Sequence, residues 1–76
     1  MREFLLHVIR NIVDHPDSII LDQEESGDKI IFKLQVHKDD LGKIIGRKGR
    51  NAMALRTLLK AVAAKEKKRA ILELDE

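Results

Sequence analysis

Within Ile44-Ile45-Gly46-Arg47-Lys48-Gly49-Arg50, two glycines three positions apart enclose two cations, and a third cation follows. Cations set this close repel one another unless something negative sits between them. Glycine admits positive φ and lets another backbone approach closely. Where such a loop opens a helix, the free N–H groups and the helix dipole attract an anion. Arg47 and Lys48 at the tip can reach phosphate oxygens, while Ile44 and Ile45 can anchor the loop and offer a base an apolar floor. The stretch suits a phosphate chain better than a single small ligand. The competing reading is a solvated helix–turn–helix connection with a glycine cap. A Walker-type loop is excluded, because it needs four residues between its glycines and then Lys and Ser/Thr. A dinucleotide fold is excluded by length and by the lack of a strand directly before the loop.

Little else in the chain offers chemistry. With no cysteine there is neither a thiolate zinc site nor a thiol nucleophile, and the absence fits a reducing compartment. His7, His15 and His37 are scattered without ligand spacing, so no metal is expected. Ser18 and Ser26 are paired with no base, and solvation explains the carboxylates, so neither a catalytic set nor a cofactor is expected. The two aromatics, Phe4 and Phe32, fall on apolar faces and are assigned to the core. That leaves no aromatic platform for base stacking. Any nucleic acid must then be held by phosphate charge, backbone hydrogen bonds and shallow apolar contact, with modest and salt-sensitive affinity.

Charge is distributed unevenly. Up to Val36 four bases meet seven acids, whereas from Lys43 to Arg69 ten bases meet only Glu66. A half-domain this basic points to a polyanion, most often nucleic acid, although lysines that merely solubilise a helix give the same count. The length of 76 residues sets one small domain over 1–76, of a size that buries only ~60% of its unfolded surface. The opening MREFLLHVIRNIVDH is broken by charge and lacks the pattern of a signal peptide. No apolar run approaches the ~20 residues of a membrane span. A cytoplasmic protein is expected.

These features need elements to position them. Phe4, Leu5, Val8, Ile9, Ile12 and Val13 recur at helical spacing, which predicts a helix ending near Asp14 ahead of Pro16. Ile19-Ile20-Leu21, a turn at Glu25–Asp28, and the alternation of Ile30, Phe32, Leu34 and Val36 predict a β-hairpin. Asp39 or Asp40 is placed to cap a short helix over 41–45, closed by Gly46. A longer helix runs from about Arg50 to Lys65, with Ala52, Leu55, Leu58, Leu59 and Val62 inward. A last strand follows at 70–74, with Ala70, Leu72 and Leu74 inward. The order α-β-β-α-α-β predicts an α+β fold, a three-stranded mixed sheet with three helices on one face.

With its two helices and this element order, the loop resembles the KH family of single-stranded nucleic-acid-binding domains, in the type II, bacterial arrangement. The apolar pair Ile44-Ile45, the motif Gly46-Arg47-Lys48-Gly49 and the run DDLGKIIGRKGRNAMALRTLLKAVAAK carry the likeness, which covers nearly the whole chain. The KH loop clamps about four nucleotides. The resemblance implies an RNA-binding protein, an RNA chaperone or post-transcriptional regulator, with contacts from Lys43, Ile44, Ile45, Gly46, Arg47, Lys48, Gly49 and Arg50. Ile31, Lys33 and Gln35 would line the far wall of the groove. Many KH loops place a large aliphatic residue three positions after the second glycine. Ala52 stands there, so either Leu55 supplies the packing or the groove is shallow and weakly selective.

A further face stands out. At ~100° per residue, Met53, Thr57, Ala61 and Ala64 lie opposite the core stripe, with Ala54 beside them. They form a partner interface, or simply reflect alanine as the best helix former. The resemblance implies self-association as a homodimer, or a heterodimer with a second bacterial RNA-binding protein that carries a KH domain, KhpB. Two other readings remain open. One is an assembly domain in which RNA binding is secondary. The other is a DNA-binding helix–turn–helix, although such a fold would expose base-reading side chains where Met and Ala stand.

Overall fold

The computed structural model describes residues 1–75. Its elements run α1 (Arg2–Arg10), β1 (Ile20–Ser26), β2 (Lys29–Gln35), α2 (Leu41–Ile45), α3 (Arg50–Lys65) and β3 (Arg69–Leu74), with single 3-10 turns at Pro16–Ser18 and Arg47–Gly49. The order and the α+β class are those expected. The sheet order is β1-β2-β3, with β1 antiparallel and β3 parallel to β2. A two-residue turn joins the hairpin, pairing Ser26 with Lys29, and Gly27 takes its first position at φ +61°.

Period-two alternation turns Ile30, Phe32 and Leu34 of β2 inward, beside Leu21, Ala70 and Leu72 of the outer strands. Leu5 and Ile9 of α1, Ile44 of α2, and Leu55, Leu59 and Ala63 of α3 cover them in one core. All three helices therefore lie on one sheet face. Phe32, Ile9, Ile44 and Ala63 are fully buried. Each outer strand also has an arginine on one of its carbonyls: Arg2 donates to Leu21 O at 2.7 Å and Arg56 to Leu72 O at 3.3 Å. Such side chains protect sheet edges from further pairing.

Several expectations are corrected. Helix α1 ends at Arg10 rather than near Asp14. Beyond it the chain tightens into a turn at Ile12, and the N–H groups of Asp14 and His15 go to the Asp40 carboxylate at 3.1 and 2.9 Å. Asp40 does sit at the start of α2, but it makes no cap there; its side chain caps this distant turn instead. Leu58 is 46% exposed and Phe4 39% exposed, so neither is core, while Ala63 is. Geometry decides this rather than hydrophobicity. On the α3 wheel Ala63 falls beside Ala52, and Leu58 falls well to the outer side.

Candidate nucleic-acid interface

Helix α2 ends at Gly46, whose N–H bonds back to Gly42 O at 2.8 Å. Gly46 then turns to φ +77°, Lys48 to +57° and Gly49 to +74°. Three positive-φ residues in four reverse the chain and project the tip outward. A Cβ on Gly46 would lie 2.6 Å from Asn51 Cγ and 2.8 Å from Asn51 N, so space as well as φ requires glycine there. At Gly49 nothing lies within 4 Å of such a Cβ, and only the φ requires it. Lys48 is left-handed without being glycine, at a cost of about 1–2 kcal/mol. A cation is thus kept at the tip against local preference.

Asn51 is a site residue that sequence reading missed. Its side-chain amide donates to Lys43 O at 2.8 Å, tying the first turn of α3 to α2 across the loop. Arg47, Lys48 and Arg50 are exposed and form no ion pair among the described residues. Among the described residues no side chain caps the N-terminus of α3. The tip therefore combines uncompensated positive charge with the favourable end of a 16-residue helix.

The structure divides the remaining candidates. Ile45 is half-buried beside the loop, but Ile44 is fully buried and anchors α2 rather than flooring a groove. The Lys43 ammonium is committed to Asp14, with Asp40 at 3.8 Å. Its bond to Asp14, opposed by burial, holds it above the usual lysine range. Lys43 thus fastens α2 to the turn after α1. Ile31, Lys33 and Gln35 lie on the sheet face turned away from the helices, because their neighbours Ile30, Phe32 and Leu34 take the inward positions. Lys33 is moreover paired with Glu24 at 3.0 Å, and that hydrogen bond and charge raise its pKa. These three do not share a groove with the loop.

Asp40 is the one buried charged residue among the described residues. Burial pushes its carboxyl up. The N–H groups of Asp14 and His15, with the His15 ring at 3.1 Å, outweigh that, and it titrates below the ordinary aspartate range. Two of the three histidines meet in space. His15 and His37 stack with ring centroids 3.9 Å apart at 12°. With Asp39 they hold potential ligand atoms within 4.8 Å of one another. Stacked rings direct their in-plane lone pairs side by side rather than to one point. His15 Nδ1 already meets Asp40, and His37 Nδ1 accepts from Asp39 N at 3.1 Å. The cluster reads as a staple that joins the α1–β1 and β2–α2 connections and seats α2.

The α3 face opposite the core is open: Met53 is 66% exposed, and Ala54, Thr57, Ala61 and Ala64 are exposed. Among the described residues no helix is long and apolar enough to cross a membrane.

A family model described as "KhpA/KhpB, KH domain" matches residues 2–74. The chain is 41% identical over 76 residues to RNA-binding protein KhpA of Listeria monocytogenes, covering all of both chains. It is 42% identical over 76 residues to that of Chlamydia trachomatis, covering 100% of this chain and 97% of the other. With the Caldanaerobacter subterraneus protein of the same name it shares 43% over 74 residues, or 97% and 99% of the two chains.

Proposed function

The chain belongs to the KhpA/KhpB family of KH domains and is an RNA-binding protein rather than an enzyme, and we propose that it clamps the backbone of single-stranded RNA at the Gly46–Gly49 loop. One observation carries this: Arg47 and Lys48 stand exposed, with no ion pair among the described residues, in a loop of positive-φ residues between two helices. Their charge meets phosphates, and Arg50 extends the same edge. Ile45 offers the apolar surface on which a base rests. Gly46, Gly49 and Asn51 hold the shape, while Lys43 and Ile44 seat the helix behind it. With no exposed aromatic beside the loop and Ala52 buried, contact rests on backbone and charge, so the preference among sequences is weak.

The cellular role is that of an RNA chaperone or post-transcriptional regulator in the cytoplasm. It acts as a dimer or with a KhpB-like partner through the Met53, Thr57, Ala61 and Ala64 face of α3. Two weak sites joined in this way bind far more tightly than one.

The test is Arg47→Asp combined with Lys48→Asp. Binding to a single-stranded RNA should be lost while the circular dichroism spectrum and melting profile are retained. Wild-type affinity should fall steeply with salt. A double variant that bound as tightly as wild type would remove the loop from the interface.

A further inference from the structure

Both non-glycine residues with positive φ are lysines, and they stand at opposite ends of α3: Lys48 before it and Lys67 (φ 57°) after it. At the C-terminal end, Lys68 N bonds to Ala63 O at 2.9 Å and Lys67 N to Ala64 O at 3.0 Å. That is the pattern of a helix stop whose left-handed position ordinarily takes glycine. Here it is a lysine, and the turn delivers Lys68 and Arg69 to the start of β3. A cavity of about 260 Å³ opens at that point, lined by Lys60, Lys68, Arg69, Ala70 and Ile71.

Three cations meet there, and among the described residues none has a carboxylate within ion-pair distance. Ala70 is buried and Ile71 half-buried, so the floor is apolar. Among the described residues β3 pairs with β2 alone, and Arg56 covers its outer edge at Leu72, so the cavity lies beside the uncovered start of the strand. On the α3 wheel Arg56 and Lys60 share one flank, so exposed cations run from the loop past Arg56 to the cavity.

We propose that the Lys60–Lys68–Arg69 cavity is a second RNA site, in which the cations hold a phosphate of the strand already clamped at the loop while its sugar or base covers Ile71. This rests on the loop reading given above. At ~1.5 Å per residue α3 places Lys60 ~15 Å from Arg50 and the helix end, where Lys68 and Arg69 follow, ~24 Å from the loop, or roughly four to seven nucleotides at the ~3.4 Å spacing of a stacked strand. An RNA of the length that the loop alone clamps, about four nucleotides, spans ~14 Å at that spacing and does not reach Lys68 and Arg69 beyond the helix end.

The experiment compares wild type, Lys60→Gln/Lys68→Gln, a charge-matched control Arg10→Gln/Lys65→Gln, and the loop double variant. Each is titrated by NMR with a uridine tetranucleotide and with an oligouridine of about 14 nucleotides. All four substituted residues of the two glutamine variants are partly or fully exposed, and their amide spectra report the fold directly. The cavity variant should bind the tetranucleotide like wild type and the longer RNA about tenfold more weakly. Its salt slope on the longer RNA should be shallower by about 0.7 for each phosphate that the cavity no longer neutralises. Unchanged affinity for the longer RNA would overturn the proposal, and so would an equal loss in the control, which would make the effect diffuse charge. If instead the loop double variant bound the tetranucleotide like wild type, the loop reading itself would fail. The two failures are therefore distinct.

Discussion

Gly46 and Asn51 occupy each other's space. The missing Cβ of Gly46 is filled by the Asn51 side chain, whose Cγ would stand 2.6 Å away, and the same side chain donates across the loop to Lys43 O. The two glycines of the loop are therefore not equivalent. Gly46→Ala suffers φ strain and a collision, and trimming Asn51 gives no relief because its backbone N is also only 2.8 Å away. Gly49→Ala suffers φ strain alone. In urea unfolding, Gly49→Ala should cost about 1–2 kcal/mol and Gly46→Ala roughly 2–5 kcal/mol. The larger figure approaches the whole stability of a domain this small. Equal midpoints for the two variants would mean that the contact with Asn51 yields freely.

Lys48→Gly should separate stability from binding. Glycine accepts φ +57° without the penalty borne by lysine, so the variant should melt higher, by on the order of 4 °C. It also removes a tip cation, so RNA affinity should fall and the salt slope should flatten by about 0.7. A variant that melted lower than wild type would show that the lysine side chain makes a stabilising contact.

The Asp40 carboxylate carries a pH signature. Its folded pKa is depressed, so its contribution is present above the unfolded value of about 3.9 and is lost as pH falls through the lower folded one. Asp40→Ala leaves the N–H groups of Asp14 and His15 without an acceptor. It should lower Tm by on the order of 10 °C at neutral pH. Thermal scans of both proteins should show this gap steady above about pH 5 and narrowing below pH 4. A gap that widened in acid would contradict the assignment.

What the sequence displays and what it hides divide by range. The loop, α2, α3 and β3 are legible because their signals are local: glycines that stop one helix and open another, cations in a row, and period-two apolar residues. The role of Asp40 is hidden because its partners lie 25 and 26 residues away, and no spacing rule links a carboxylate to a distant turn. The stacking of His15 on His37 is hidden for the same reason. Assigning Ile31, Lys33 and Gln35 to the groove fails differently. The alternation that buries Ile30, Phe32 and Leu34 already excludes their neighbours from the helix side. On α3, side-chain size favours Leu58 as core where angular position selects Ala63.

Leu58 also bears on the partner face. Its 46% exposure extends the outward surface of α3 beyond Met53, Thr57, Ala61 and Ala64. Thr57 adds methyl rather than hydroxyl character, since its Oγ1 donates back to Met53 O at 3.0 Å. The face is thus apolar and built mostly from small side chains, which allow a second helix close approach. If it binds a partner, a single glutamate at its centre should break the contact by leaving a charge buried and unpaired. With this face as a homodimer interface, wild type should run at twice the 8.7 kDa monomer mass in light scattering and Ala61→Glu at the monomer mass, and Ala61→Glu should fail to pair with KhpB. Because Ala61 is exposed in the single chain, the melting profile of the isolated monomer should not change. A variant with the wild-type mass and undiminished KhpB pairing would remove this face as the interface.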